Sequence, residues 1–289
     1  MSVNFLENNE QFSKSFDAIS GSDFYNGLTP ELGYQHKLGH IQKVMLFSKI
    51  IAQNENLDEQ QTKILLASAA FHDSGRIQDR DNGEHGELSA EIAGKYLKEN
   101  PNNPYGIMQN EIGIVQTAIA YHVTTENIVG KIDEEKLKEL CYRYGVYNLE
   151  KFEKIKQISA ILKDADALDR ARFSSKLSSR NSLDPNLLRT KTAKDPLIIE
   201  FARKINQVYA GYILKENYPD ELVVENDNAK TLQISRHNYK VKNRGIRKEE
   251  KDIPIKIVKL LFKYVFENIK IKEIRNKDCN KIAEDTLEL

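Results

Sequence analysis

The sequence predicts an all-α, mainly helical protein, and three observations carry that expectation. Apolar residues recur at three- and four-residue steps through most of the chain, the spacing of helices that bury one face. The composition is 40 % apolar and 30 % charged, with seven prolines and no tryptophan, which describes a globular, helix-leaning chain rather than a disordered or fibrous one. Plausible strand material is confined to short stretches such as Glu221 to Val224 and Thr231 to Ile234.

Residues 1–31 are polar and rich in turn signals, Gly21-Ser22-Asp23 and Leu28-Thr29-Pro30 among them, and read as a short helix or arm leading into the core. From Tyr34 to Asn54 the positions Leu38, Ile41, Val44, Met45, Ser48, Ile51 and Ala52 define an amphipathic helix. His36 and His40 share one face of it at i and i+4. Asp58, with Gln61 three residues on, is a capping-box start for a helix over 59–72. The polar stretch 78–86 reads as a loop over that helix's end. Further helices are predicted over 87–99, 107–123 and 133–142. Another over 150–172 carries Asp164, Asp166 and Asp169, with Asp166 and Asp169 on one face and Asp164 on another. A loop and short helix follow over 183–194, then a helix over 196–214 that buries Ile198, Phe201, Ile205, Val208 and Tyr209. A last amphipathic helix is predicted over 253–271.

Length alone allows one large domain or a domain with an appendage. Lysine plus arginine equals aspartate plus glutamate at 43 each, so no general field draws the chain to nucleic acid or to a membrane. The basic run 240–249 lacks interleaved aromatics beyond Tyr239 and is a poor nucleic-acid platform. No apolar run approaches the roughly 20 residues of a membrane span. The N-terminus has neither the basic flank nor the apolar stretch of a signal peptide, so a cytoplasmic home is expected. Cys141 and Cys279 make no disulfide framework and have no metal-ligand spacing, so they read as free thiols.

The chemistry concentrates around AAFHDSGR, residues 69–76. A core helix through Leu65, Leu66, Ala69, Ala70 and Phe71 delivers His72 and Asp73 to its C-terminal end, where Ser74-Gly75 stops it. Adjacent residues point about 100° apart on a helix. Both reach one ion if the last turn unwinds at the glycine. Five of the six histidines fall between residues 36 and 122, accompanied by carboxylates, and such crowding marks a site.

At these residues the chain resembles the HD-domain superfamily of metal-dependent phosphohydrolases, whose pattern is His, then His-Asp, then Asp on a helical bundle. The pattern falls on His40 in HKLGHIQKV, on His72 and Asp73 in AFHDSGR, and on Asp166 in ILKDADALDRAR. The resemblance covers residues 32–175, and it implies an HD-domain helical bundle over 32–212 followed by a mostly helical extension over 213–289. It implies a metal site built from His40, His72, Asp73 and Asp166. Asp166 is preferred to the alternative ligand Asp164 because the superfamily's late Asp follows an Ala and precedes a Leu by two. His85 in EHGELSA and His122 in AIAYH resemble a subgroup's extra histidines, implied as ligands of a second ion or as donors to a substrate phosphate. His36 has no counterpart in the pattern.

Imidazole with carboxylate suits Mn, Fe, Co, Ni or Zn as divalent ions, with open positions for water. Such an ion lowers a bound water's pKa from 15.7 toward about 7. Arg76, one turn from the ligands, could meet charge on a phosphoryl oxygen, with Arg170 and Arg172 as further candidates. A group free of metal is the better proton carrier, which points to His85, Asp169 or Glu84. The implied activity is hydrolysis of a small phosphorylated substrate, a nucleotide or another phosphomonoester or phosphodiester, by one ion or two, in a chain that could be a homo-oligomer. The competing classes are an HD-type di-iron oxygenase and a non-catalytic metal or nucleotide-binding module whose 213–289 region contacts a partner. The intact ligand pattern argues against the last.

Overall fold

The computed structural model describes residues 10–20, 38–76, 83, 85–173, 183–203 and 205–206, and every described element is helical. The helices are α1 (Glu10–Ser20), α2 (Leu38–Asn54), α3 (Glu59–Phe71), α4 (His85–Glu99), α5 (Ile112–His122), α6 (Glu134–Arg143), α7 (Phe152–Asp169) and α8 (Lys191–Lys194). Residues 196–203 add another helical stretch. Among the described residues no helix is long and apolar enough to cross a membrane.

Helix boundaries follow local chemistry. Asp58 accepts from Gln61 N at 2.7 Å while Gln61 Oε1 accepts from Asp58 N at 2.9 Å, completing the capping box that opens α3. Asp133 caps α6 in the same sense, accepting from Lys136 N. The predicted helix over 107–123 resolves into a 3₁₀ turn at Gln109–Glu111 and then α5. The one over 150–172 is α7 flanked by 3₁₀ turns. Helix α4 begins at His85, two residues before the predicted start, which puts that histidine on the helix rather than in the preceding loop. The expectations for His36, for Glu84, for most of the 78–86 loop and for everything beyond residue 206 lie outside the described residues, as do Cys279 and both strand candidates.

One core joins these helices. Helix α4 packs most extensively on α5 and α2 on α7, while α3 touches α2, α5 and α7 and sits centrally. Its residues 64–71 are all buried, which is why its sequence shows almost no polar face. Phe12 and Phe16 of α1 insert into the same core, as do Ile198, Phe201 and Ile205, so the N-terminal arm contributes packing as well as a lead-in. Small residues let α4 approach α5: a Cβ on Gly94 would fall 2.2 Å from Gln116 Nε2. Five of these helices, α2, α4, α5, α7 and the C-terminal end of α3, bring histidines or aspartates toward one buried region.

Candidate metal centre

Helix α3 ends at Phe71, and residues 72–75 form a turn in which Ser74 N and Oγ both donate to Phe71 O. That unwinding lets His72 and Asp73 face the same region. Gly75 is required by close approach, because a Cβ there would stand 2.6 Å from Ser89 N, and Gly75 N donates to Ser89 Oγ at 2.8 Å. The turn is thereby tied to α4, four residues from His85.

Hydrogen bonds fix the direction of three imidazoles. His72 Nδ1 donates to Ala69 O at 2.8 Å and His122 Nδ1 to Ile119 O at 2.5 Å. His40 Nδ1 donates to Asp169 Oδ2 at 2.7 Å. In each, the proton on Nδ1 leaves a lone pair on Nε2 that points inward. His40 Nε2 and His72 Nε2 lie 3.1 Å apart, and His85 Nε2 and His122 Nε2 lie 3.2 Å apart. Lone pairs do not converge at such distances without a proton or a cation between them.

Asp73 lies between the two histidine pairs. Its Oδ2 is 3.4 Å from His40 Nε2 and 3.8 Å from His72 Nε2, while its Oδ1 is 3.1 Å from His85 Nε2 and 3.7 Å from His122 Nε2. Two groups of three donors, His40-His72-Asp73 and Asp73-His85-His122, each gather their donor atoms within 4.8 Å. Asp166 Oδ1 adds a fourth donor 3.4 Å from His40 Nε2. Asp73 Oδ1 is buried and has no aligned hydrogen-bond donor, its cationic neighbour being Arg76 Nε at 3.2 Å. The residues present therefore fit a divalent ion by donor type, convergence and an unsatisfied buried oxygen.

The electrostatics agree. Burial would raise the Asp73 carboxyl, but His72 and the neighbouring imidazoles of His122, His40 and His85 hold it well below the usual carboxylate range. Asp166 is likewise pushed down to about 2, His40 and His72 outweighing burial. His72 is pushed down to about 4, chiefly by burial, with His122 and His40 adding to the effect against the pull of Asp73. On His40, burial and Arg172 act downward but the carboxylates of Asp169 and Asp73 win, so its pKa is raised. The two imidazoles are thus shifted in opposite directions across their 3.1 Å contact.

The HD domain family model matches residues 38–171. This segment is an HD domain. The family is generally one of metal-dependent phosphohydrolases, and the buried His/Asp cluster fits divalent metal binding. Comparison with curated proteins gave no significant match, and comparison with solved structures gave none either.

Within the HD domain, His40, His72, Asp73, Asp166, His85 and His122 come together. The alternative ligand Asp164 does not join them. It is fully buried on another face of α7, where it accepts from Arg189 N, Thr190 N and Thr190 Oγ1 at 2.7–3.0 Å and from Arg189 Nη1 at 3.1 Å. Nor does Asp169 fit the expectation of a proton carrier at the substrate. It is fully buried, its Oδ2 bonded to His40 Nδ1 and to Arg172 Nη1 at 2.5 Å and its Oδ1 3.0 Å from Lys43 Nζ. Such a group orients an imidazole. Arg172 thus braces Asp169 rather than reaching the cluster, and Arg170 is exposed. Arg76 does reach it, with Nη2 3.0 Å from His85 Nε2. His85 lies in the same cluster, its Nε2 3.1 Å from Asp73 Oδ1.

Sequence reasoning missed the positioning role of Asp169 and the part played by Lys163. The Lys163 ammonium donates to His122 O at 3.2 Å and Thr124 O at 2.6 Å, tying the end of α5 to α7. The one sequence signal for the first was its spacing, three residues after Asp166 on the same face. Nothing local marked the second.

Proposed function

We propose that this chain is a metal-dependent phosphohydrolase acting on a nucleotide or another small phosphoester. His40, His72, Asp73 and Asp166 hold one divalent transition ion, and Asp73, His85 and His122 hold a second. The observation that carries the reading is the division of the Asp73 carboxylate, one oxygen facing each group of imidazoles. The ions supply Lewis acidity and an acidified water.

The chain's own groups do the rest. Asp169 keeps the His40 proton on Nδ1, and Lys43 and Arg172 keep Asp169 ionised against its burial. Ala69 O and Ile119 O do the same for His72 and His122 with neutral acceptors. Burial of all four imidazoles leaves solvent access beside Asp166, whose side chain is 32 % exposed, so a phosphoester approaches from that side. Arg76, partly exposed, offers forked donors for a phosphoryl oxygen. We assign the activity to 32–212 and leave 213–289 as an extension of that unit.

Four imidazoles with two carboxylates would also hold two irons, so an HD-type di-iron oxygenase is the competing reading. A spectrum of anaerobically iron-loaded protein before and after O₂ separates the two.

The direct test assays phosphomonoesters, cyclic and linear phosphodiesters and nucleotides with Mn²⁺, Co²⁺, Ni²⁺ and Mg²⁺, using a His72→Ala/Asp73→Ala protein as the blank. Turnover with at least one substrate and one transition ion is expected, absent from a blank that still folds. Equal turnover by the blank would overturn the proposal.

A further inference from the structure

The two donor groups that share Asp73 differ in one respect. Around the first, no lysine or arginine among the described residues is paired with Asp166, and the closest guanidinium approach to Asp73 is on Oδ1, the oxygen of the second group; Lys43 and Arg172 are both directed to Asp169. The second already holds a cation supplied by the chain. Arg76 Nη2 stands 3.0 Å from His85 Nε2, and Arg76 Nε stands 3.2 Å from Asp73 Oδ1. One guanidinium therefore covers two of the three donors that a second ion needs. The third donor, His122 Nε2, is 3.2 Å from His85 Nε2.

We propose that Arg76 is an internal competitor for the second ion, so that the two sites load unequally and the second fills only when the guanidinium leaves Asp73 and His85. The inference rests on the two-ion reading above. A guanidinium keeps its charge at any pH a protein tolerates, so it neutralises Asp73 as long as it stays in place. Its hold is nevertheless incomplete. The Nε to Oδ1 contact is Coulombic and not an aligned hydrogen bond, and neither atom has another hydrogen-bond partner. An ion arriving at Asp73 Oδ1 therefore breaks no hydrogen bond there and breaks one at His85. The Arg76 side chain retains 14 % exposure, which gives it a solvent-facing direction in which to leave. Once displaced, it stands one turn from the ligands with its donors vacant, which couples filling of the second site to a guanidinium free to meet an anionic substrate.

Manganese is the probe, because it serves both calorimetry and electron paramagnetic resonance, and two ions bridged by one carboxylate give an exchange-coupled spectrum distinct from that of a single ion. Wild type should bind one Mn²⁺ tightly and a second more weakly, with the coupled spectrum emerging only in the second step. In Arg76→Gln, which stays polar but is shorter and loses the charge, the second step should tighten by about tenfold or more, the size of an ordinary coupling between two ligands. The first step should be unchanged, and its stoichiometry of one reports that the variant is folded. Arg76→Lys should shift the second step in the same direction by less. A lysine can still put charge beside Asp73 but cannot span to His85, so this variant carries the test if the glutamine protein does not fold. A second step that is unchanged or weaker in a variant with an intact first step overturns the inference and leaves the metal reading standing. Two equal steps in wild type overturn it in the same way, whereas no bound ion in either protein removes the metal reading and this inference with it.

Discussion

Asp164 and Asp166 stand one residue apart on α7 and do unrelated work, because a helix turns about 200° over two residues. Asp164 is the acceptor at the centre of a knot formed by Arg189 and Thr190, and Asp166 faces the imidazoles. Replacing Asp164 by Asn puts an amide N–H₂ against backbone and hydroxyl donors and leaves Arg189 short of a buried counter-charge. A loss of about 3–5 kcal/mol is expected, read by chemical denaturation, with the Mn²⁺ stoichiometry of the folded protein unchanged. Asp166→Asn should act on the metal instead: affinity falls, and the ion-free protein also loses some stability, because the pull of His40 and His72 on this carboxylate outweighs its repulsion with Asp73. Lys163 gives a pH signature. Burial, with Arg189 adding to it, pushes this ammonium down to about 8 from 10.5, against Glu126, Asp166 and Asp164. Between those values the folded chain binds fewer protons at this site than the unfolded chain, so stability from this group rises with pH, by roughly 3 kcal/mol across the window. Subtracting the pH–stability curve of Lys163→Met from that of wild type should leave this rise; a flat difference would mean that the ammonium is not held as described.

At the scale of elements, the centre depends on how the end of α3 meets the start of α4 and how α4 lies on α5. Two glycines separate these contacts. A Cβ at Gly75 would meet the backbone of Leu88 and Ser89 at 2.6–2.9 Å, so Gly75→Ala must push α4 away and carry His85 with it. A cost of about 1–3 kcal/mol is expected, together with weakened metal binding. A Cβ at Gly94 meets only the end of the Gln116 side chain, which can swing aside at the expense of its bond to Ala90 O. There the gain in helix propensity of Ala over Gly, about 1 kcal/mol, offsets the lost bond, and Gly94→Ala should leave both stability and metal binding nearly unchanged. Differential scanning calorimetry of the two variants with and without Mn²⁺ makes the comparison. Equal behaviour would show that the joint between α3 and α4 does not set the site.

For the whole molecule, the core holds a cluster of four imidazoles and two ionised carboxylates from five helices, α2, α3, α4, α5 and α7. A cation that binds only the folded arrangement must stabilise it by mass action. At 100 times its Kd one ion adds about 2.7 kcal/mol, which corresponds to a rise in Tm of roughly 5–10 °C for a chain of this size. The His72→Ala/Asp73→Ala protein should show no such rise in a thermal melt with Mn²⁺. A rise equal to that of wild type would locate the metal elsewhere.

The sequence by itself determined the helices among the described residues, because amphipathic spacing and caps such as Asp58 with Gln61 or Asp133 act within a few residues. It also determined that His72 and Asp73 end a core helix, since the apolar run and the glycine that stops it are adjacent. That His40 and a late aspartate belong with them was legible only through the family pattern. The tertiary structure alone decided that Asp164 is held by Arg189 and Thr190, that Asp169 orients His40, that Asp73 divides its oxygens between two groups, and that Arg76 lies against one of them. Each of these depends on partners from other helices or from the segment around Thr190. A carboxylate's role is set by the groups that reach it through space, which no local pattern encodes.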